Sequence, residues 1–410
     1  MADVLHINEA ENKPFLIVSI GRTEVSTNYM SLHLTADITS PYVTGIMEVA
    51  NSGGLGDFEN FIKGQDVDLY FSGGEDYSEV YNLPMSIYEI LLPVSKGLRT
   101  PLGNVILKLK SKWAYQSESL STKAYIDITD PMDVIKGELK DVGMGEMLQI
   151  SEPLEHFSKP QNIYRHSFLE ALEERILPYV HVEGGGPAFL YQKIGGGMDI
   201  QSFHHMIQQP LRAHLFPAFN EAPLPNDNIP LLTFSKRGYF SNSSIPISKV
   251  QGYYNDKGNL KHFERSKPIE RTGVVPELEK MLGENDTDIW YVGYRATEQM
   301  QGHADYIRRL QVFHQVHTLY LEDMSACTLC DVGSKVYLHD YDQVLKNPED
   351  EPDKDELTKS NMDGEYIITT SHFFWNGLNT EEFRGTKLEL GKVSYPSFSE
   401  VEEEANYIHS

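Results

Sequence analysis

Residues 332–390 constrain the fold of this chain more than any other segment. Asp331-Val332-Gly333-Ser334 reads as a tight turn, and Lys335-Val336-Tyr337-Leu338-His339 as an alternating strand. After a polar, acidic stretch, Asp363-Gly364 opens the long run Glu365-Tyr366-Ile367-Ile368-Thr369-Thr370-Ser371-His372-Phe373-Phe374. Gly385 then opens Thr386-Lys387-Leu388-Glu389-Leu390. A strand presents successive side chains to opposite faces, so this alternation asks for one buried and one wet face. Turn–strand, turn–long strand, turn–strand is the order of a small antiparallel barrel, not of a catalytic cleft.

The same order occurs earlier in weaker form. Gly64-Gln65-Asp66-Val67-Asp68-Leu69 matches Gly333-Ser334-Lys335-Val336-Tyr337-Leu338 in its glycine, valine and leucine positions. Ser86-Ile87-Tyr88-Glu89-Ile90 takes the place of 367–374, and Val105-Ile106-Leu107-Lys108-Leu109 that of 386–390. The second copy is longer by roughly a dozen residues, which the run Asn347-Pro348-Glu349-Asp350-Glu351-Pro352-Asp353-Lys354-Asp355-Glu356 accounts for. This echo is the pattern of a duplicated barrel, although two unrelated meanders share some of its features.

Along the chain, 13–128 reads as almost continuous strand, with 55–62 as a short helix and Lys123–Ile128 as the strand that closes the meander. Pro131–Val142 and Ser167–Ile176 have helical spacing, and Phe168, Leu169, Leu172 and Ile176 share one face of the second. A strand at Ala188–Tyr191 lies between triple glycines, and Gln201–Arg212 is a further short helix. Strands resume at Leu231–Tyr254, with helices expected at Pro276–Leu282 and Thr297–Gln311. The fold class is mainly β with an α+β insertion: two antiparallel barrels and a mixed α/β domain. The boundaries are 1–130 for the first barrel and 131–216 for the insertion. The second barrel is 217–393, with its acidic loop at about 347–360, and 394–410 is a C-terminal tail.

Composition excludes several classes. The formal net charge of −25 argues against a general basic surface for gripping nucleic acid, because phosphate contacts need Lys and Arg. Two cysteines exclude a disulfide scaffold and suit a reducing cytoplasm. No apolar run reaches the length of a membrane-spanning helix, and the N-terminus lacks the pattern of a secretory signal.

No catalytic or metal-binding motif is complete in the sequence. Cys327 and Cys330 form a lone CxxC without the second ligand pair that a structural zinc needs. His204-His205 and the pair His314 and His317 lack a companion motif; His339 completes no set. Gly184-Gly185-Gly186 and Gly195-Gly196-Gly197 lack phosphate-loop or dinucleotide spacing and read as backbone turns. No GxSxG is present, and the carboxylates are too many for one glycosidase pair to stand out. The expectation is a non-enzyme with no catalytic residue, cofactor or metal.

The closing quarter resembles the second barrel of baseplate hub proteins in contractile-tailed bacteriophages. That family includes late-control tail proteins and the hub portion of type VI secretion spike proteins. The residues that carry the resemblance are Val332, Gly333, Val336, Gly364, Tyr366, Ile368 and His372. It implies two tail-tube-like barrels joined by an insertion, three chains forming a ring of six barrels, and a symmetry adapter between a sixfold tail tube and a threefold spike. The implied partners are further copies of this chain, a separate spike protein, the tail tube protein, other baseplate proteins and the tape measure protein. DNA would pass through an axial channel without specific binding, past acidic residues. The virion baseplate is the implied location, after assembly in the host cytoplasm. The chain ends soon after the second barrel, hence the expectation of a separate spike, with Tyr395, Phe398 and Tyr407 of the tail as candidate spike contacts. The alternatives are a host-surface or carbohydrate-binding tail adhesin and a cell-wall-degrading tail enzyme.

Overall fold

The structure is a computed structural model. It describes residues 15–21, 23–24, 29–49, 61–73, 79–91, 104–119, 123–157, 160–177, 180–182, 186–217, 228–231, 233–236, 249–256, 259–266, 287–291, 316–321, 330–338, 341–342, 358–359, 364–376 and 384–392. The sequence readings at 55–62, 276–282 and 297–311 fall largely or wholly outside these residues, as do the acidic loop and the tail.

The first half is a meander. Its strands are β1 (Leu16–Ile20), β2 (Thr23–Glu24), β3 (Tyr29–Asp37), β4 (Thr44–Val49), β5 (Asp66–Gly73), β6 (Glu79–Leu91) and β7 (Val105–Ser111). Alternation decides the faces: in β7 every second residue is buried, so Val105, Leu107 and Leu109 enter the core while Lys108 and Lys110 stay outside. The order across the sheet is β3-β4-β7-β6-β5-β1, all antiparallel.

The middle of the chain holds α1 (Lys112–Ser119), β8 (Lys123–Ile128), α2 (Pro131–Asp141), β9 (Leu148–Ile150), β10 (Gln161–His166), α3 (Phe168–Ala171), a π-helical turn at Leu172–Ile176, β11 (His181–Val182), β12 (Gly186–Gln192), β13 (Met198–Ser202) and α4 (Phe203–Gln208). Asp130 caps α2 by accepting the Met132 N–H at 2.8 Å, and Pro131 occupies the first turn, where its missing N–H costs nothing. Ser167 and Glu170 form a capping box at the start of α3. One hydrophobic cluster gathers these elements, and it draws Trp113, Ala114, Tyr125 and Ile128 from ahead of residue 131. β8 pairs with β10 and does not close the first meander as the sequence suggested. Its partner strand arises some thirty residues later, beyond the reach of a local pattern. Residues 198–202 are strand as well, so the helix expected from Gln201 begins only at Phe203.

The second half adds β14 (Ala213–Pro217), β15 (Asn228–Leu231), β16 (Thr233–Lys236), β17 (Lys249–Asp256), β18 (Asn259–Ser266), β19 (Thr287–Tyr291), β20 (Val316–Leu321), β21 (Lys335–Leu338), β22 (Tyr341–Asp342), β23 (Thr358–Lys359), β24 (Gly364–Asn376) and β25 (Arg384–Lys392). Strands β18-β17-β19 form a separate small sheet. Strands β22-β23 form another, and β15 flanks β14; the remaining six run β16-β20-β25-β24-β21-β14, which repeats the first half seat for seat and in the same chain order.

The repeat extends to individual residues. Val67 lies opposite Met85 and Val336 opposite Tyr366; Ile87 lies opposite Leu109 and Ile368 opposite Leu390. β6 and β24 are each 13 residues long, and each breaks register with its partner immediately after this isoleucine. Gly64 N–H donates to Ile87 O at 2.7 Å and Gly333 N–H to Ile368 O at 2.9 Å. Both glycines have positive φ, +85° and +78°, a backbone conformation that L side chains adopt at a cost. One seat differs. β1 is antiparallel to β5, whereas β14 is parallel to β21, so the second barrel is not purely antiparallel.

Candidate functional site: the sheet shared by the two barrels

The two halves are fused through one strand. The first part of β24 pairs with β21, and its second part, Thr370–Asn376, pairs with β3 of the first half, opposite Asp37 to Ser31. β25 runs along the other edge of β24 almost throughout. Eight strands therefore continue across the junction, four of each half: β6, β7, β4 and β3, then β24, β25, β20 and β16.

The seam has a dry side and a wet side. On the dry side Leu32, Leu34, Phe373 and Trp375 are buried, and the rings of Phe71 and Phe373 stack with centroids 5.8 Å apart. Phe373 and Trp375 belong to the first half's core although they arise from the second half's strand. On the wet side Thr35 Oγ1 and His372 Nδ1 are 2.9 Å apart, and the Thr370 hydroxyl donates to Asp37 Oδ2 at 2.9 Å. The Ile38 N–H continues the seam by donating to Thr369 O at 2.9 Å.

Charges on the wet face are paired. Lys108 meets Glu89 at 2.7 Å, Lys110 meets Glu118 at 2.7 Å, and Lys387 lies 3.5 Å from Glu389. Asn104 donates to Glu48 at 2.7 Å. The chain's large negative charge is thus not concentrated on the described part of this face. Exposed pairs like these add little stability, about 0–1 kcal/mol each, but among the described residues they leave no cationic row for phosphate.

A second polar cluster locks the insertion to the second barrel. β12 and β13 form a hairpin whose turn is Gly195-Gly196-Gly197, with φ of +93° at Gly196, as the turn reading of these glycines requires. Asp331 is buried and accepts the N–H groups of Gly195 (3.2 Å) and Val332 (2.9 Å). Burial pushes its carboxyl up to about 7, against the pull of those N–H groups and of the Lys193 charge. Tyr191, also buried, accepts from the Gln201 amide, and Lys193 meets Asp199 at 2.5 Å. Gly333 lies against the Tyr191 ring so closely that a Cβ would overlap it. Between insertion and first barrel, Gln192 Oε1 accepts from the Ser111 hydroxyl (2.6 Å) and the Trp113 indole (3.0 Å).

The residues that carry the sequence resemblance are placed as fold markers. Val332, Val336, Tyr366 and Ile368 are buried, Gly333 and Gly364 have positive φ, and His372 bonds across the seam. Cys330 is buried in the second core, while Cys327, His314 and His339 lie outside the described residues. His317 belongs to strand β20, so it does not share a helical face with His314. Among the described residues no group of three His, Cys, Asp or Glu is placed to hold a metal ion. No helix among them is long and apolar enough to cross a membrane. Tyr395, Phe398 and Tyr407 lie outside the described residues. The reading from sequence missed the roles of Tyr191, Asp331 and Phe373. The aromatic run 373–375 was the available signal, since bulky side chains beyond one barrel's needs ask for a second surface.

Fold and junction together define a class: a mainly β protein of two duplicated tube-like barrels, sharing one sheet, with an α/β insertion between them. Two solved tail proteins share this fold. A tail protein from Neisseria meningitidis MC58 superposes with a TM-score of 0.55 at 10% identity, covering 93% of this chain and 97% of that one. The 43 kDa tail protein of prophage MuSo2 from Shewanella oneidensis gives 0.55 at 10% identity, over 92% and 98%. No protein-family model matches the sequence, and no curated protein matches it.

Proposed function

We propose that this chain is the baseplate hub of a contractile phage tail, a trimeric adapter between the sixfold tail tube and a threefold spike. The observation that carries the reading is the residue-by-residue repeat of one barrel within one chain. A duplicated barrel gives three copies six similar units, so one ring offers sixfold contacts above and threefold contacts below. The shared tail-protein fold agrees with it.

In this reading the domains are 1–130, 131–216 and 217–393, followed by the tail 394–410. The wet face of the shared sheet lines the DNA channel, and its paired lysines and carboxylates let phosphate pass without adhering. The tail contacts a separate spike protein through Tyr395, Phe398 and Tyr407. Tube, spike, tape measure and other baseplate proteins are the partners, in a virion tail assembled in the host cytoplasm. The protein is structural and carries out no catalysis.

Two experiments test the proposal. The purified protein, mixed with the tail tube protein of the same virus, should nucleate tubes with hub protein at one end, seen by negative-stain microscopy. Tubes that start equally well without it would refute the adapter role. Deleting 394–410 should abolish spike co-purification, and unchanged spike binding would remove the tail from the interface.

A further inference from the structure

Three parts of the chain meet at the tip of the β12–β13 hairpin. A Cβ placed on Gly195 would lie 3.4 Å from the Tyr81 ring of β6 and 3.9 Å from Asp331 Oδ2, and one on Gly196 would lie 3.0 Å from the Asn82 carbonyl oxygen. The tip is therefore wedged between the first barrel and the 331–333 turn of the second. Its apolar side is fixed, because Tyr191, Ile194 and Val332 all belong to the first core. Its polar side rests on Asp331, which accepts the Gly195 N–H across the junction and the Val332 N–H beside it.

The charges on that polar side do not balance. Two buried carboxyls, Asp199 and Asp331, meet one ammonium, Lys193, which lies 2.5 Å from Asp199. Asp199 Oδ1 is nevertheless buried without a hydrogen-bond partner among the described residues. The other ionisable groups around the junction are engaged elsewhere: Tyr191 with Gln201 in the hairpin, Tyr81 with Glu79 in β6, and Lys335 of β21 with Glu365. Cys330, next to Asp331, is buried and carries no positive charge to offer. With both carboxyls ionised, this dry junction holds one negative charge more than its cation offsets. Such a charge is relieved either by taking a proton or by opening to water.

We infer that the junction is a proton-operated latch: a proton held at Asp331 keeps the hairpin tip docked on the second barrel, and its loss lets the tip part from Asp331 and admit water. The tip can move as a unit. Its own bonds, Lys193 N–H to Gly197 O at 2.7 Å and Gly196 N–H to Lys193 O at 3.0 Å, do not involve Asp331. Burial agrees with this direction, pushing the Asp331 carboxyl from 3.8 up to about 7 against the pull of the Gly195 and Val332 N–H groups and of Lys193. The docked state thus binds the proton more tightly than an open, solvated one. Docking is strongest below 3.8 and weakens as pH rises through about 7. The insertion is held firmly on the second barrel in acid and loosely above neutrality.

Hydrogen exchange of the full chain at pH 5 and pH 8 tests the latch, read by mass spectrometry on peptides covering 193–198 and 330–336 and corrected for the intrinsic pH dependence of exchange. Between those values the docking equilibrium should fall by up to about a hundredfold, a factor of ten per pH unit until the carboxyl is ionised. The expected result is a loss of protection of at least about tenfold in both peptides, with β7 unchanged. Asp331→Asn keeps an oxygen acceptor without the charge and should stay protected at pH 8. Equal protection of the parent at both pH values overturns the latch, and so does an Asp331→Asn variant as pH-dependent as the parent. If Asp331→Asn fails to fold, Lys193→Gln decides. Removing the cation that opposes proton binding should move the pH at which protection levels off upward, and an unmoved or lower value overturns the proposal.

Discussion

Gly64 and Gly333 hold the same place in the two barrels, but their neighbours differ, so one substitution at both sites separates backbone strain from packing. Alanine at either position inherits a positive φ, +85° or +78°, at a cost of about 1–2 kcal/mol. At Gly64 the new methyl approaches the Tyr115 ring to 3.1 Å. Tyr115 is half-buried and gives way, so Gly64→Ala should cost about 1–2 kcal/mol in all. At Gly333 the methyl overlaps Tyr191, which is fully buried and tied to Gln201. Overpacking against an immovable ring adds about 1–3 kcal/mol, so Gly333→Ala should cost roughly 2–5 kcal/mol. Urea unfolding followed by near-ultraviolet circular dichroism reads both values. Pairing Gly333→Ala with Tyr191→Ala should recover the overlap portion relative to Tyr191→Ala alone. Equal costs at the two glycines, or no coupling to Tyr191, would refute the packing of this turn on the insertion.

Phe373→Ala empties a buried site in the first core from a strand of the second barrel, so it should lower stability by about 3–5 kcal/mol in chemical denaturation. It should also loosen amide protection in β3, and loss confined to β24 and β25 would contradict the shared seam. Asp331 binds its proton more tightly folded than unfolded, between the ordinary 3.8 and about 7. Its contribution is therefore intact at low pH and is lost as pH climbs from about 4 to 7, by about 4 kcal/mol at 1.4 per pH unit. Asp331→Asn should flatten that part of the stability–pH curve, measured as the difference from the parent protein; an unchanged curve would contradict a buried, proton-binding carboxyl. Gln192→Ala removes the acceptor of the buried Trp113 indole and one of two acceptors of the Ser111 hydroxyl, which keeps Val43 O, and should cost about 1–3 kcal/mol in thermal or urea unfolding.

The duplication was legible in the sequence because its carriers are backbone requirements and period-two patterns. Gly64 and Gly333 need positive φ, and the valines and leucines that follow them alternate into the core. The surplus of the acidic loop was legible for the same reason: Val67 to Ile87 is 20 residues and Val336 to Ile368 is 32, a difference of 12. What sequence pattern missed is non-local. β8 finds β10, and β3 finds β24 across more than three hundred residues, and no local spacing encodes either choice. β14 escaped as a strand altogether, since the sequence reading left Ala213–Pro217 at the end of the insertion, and its sense escaped too, because a strand's apolar pattern reads alike in both directions. The buried Asp331 looked like one more carboxylate among 60 acidic residues, and only tertiary packing sets it apart.

The measurement that tests the central claim most directly is the mass and symmetry of the purified protein in solution, by native mass spectrometry and class averages of single particles. The account predicts a species of three times the chain mass, seen end-on as a threefold ring of six similar lobes. A stable monomer, or a ring whose lobes do not number two per chain, would contradict it.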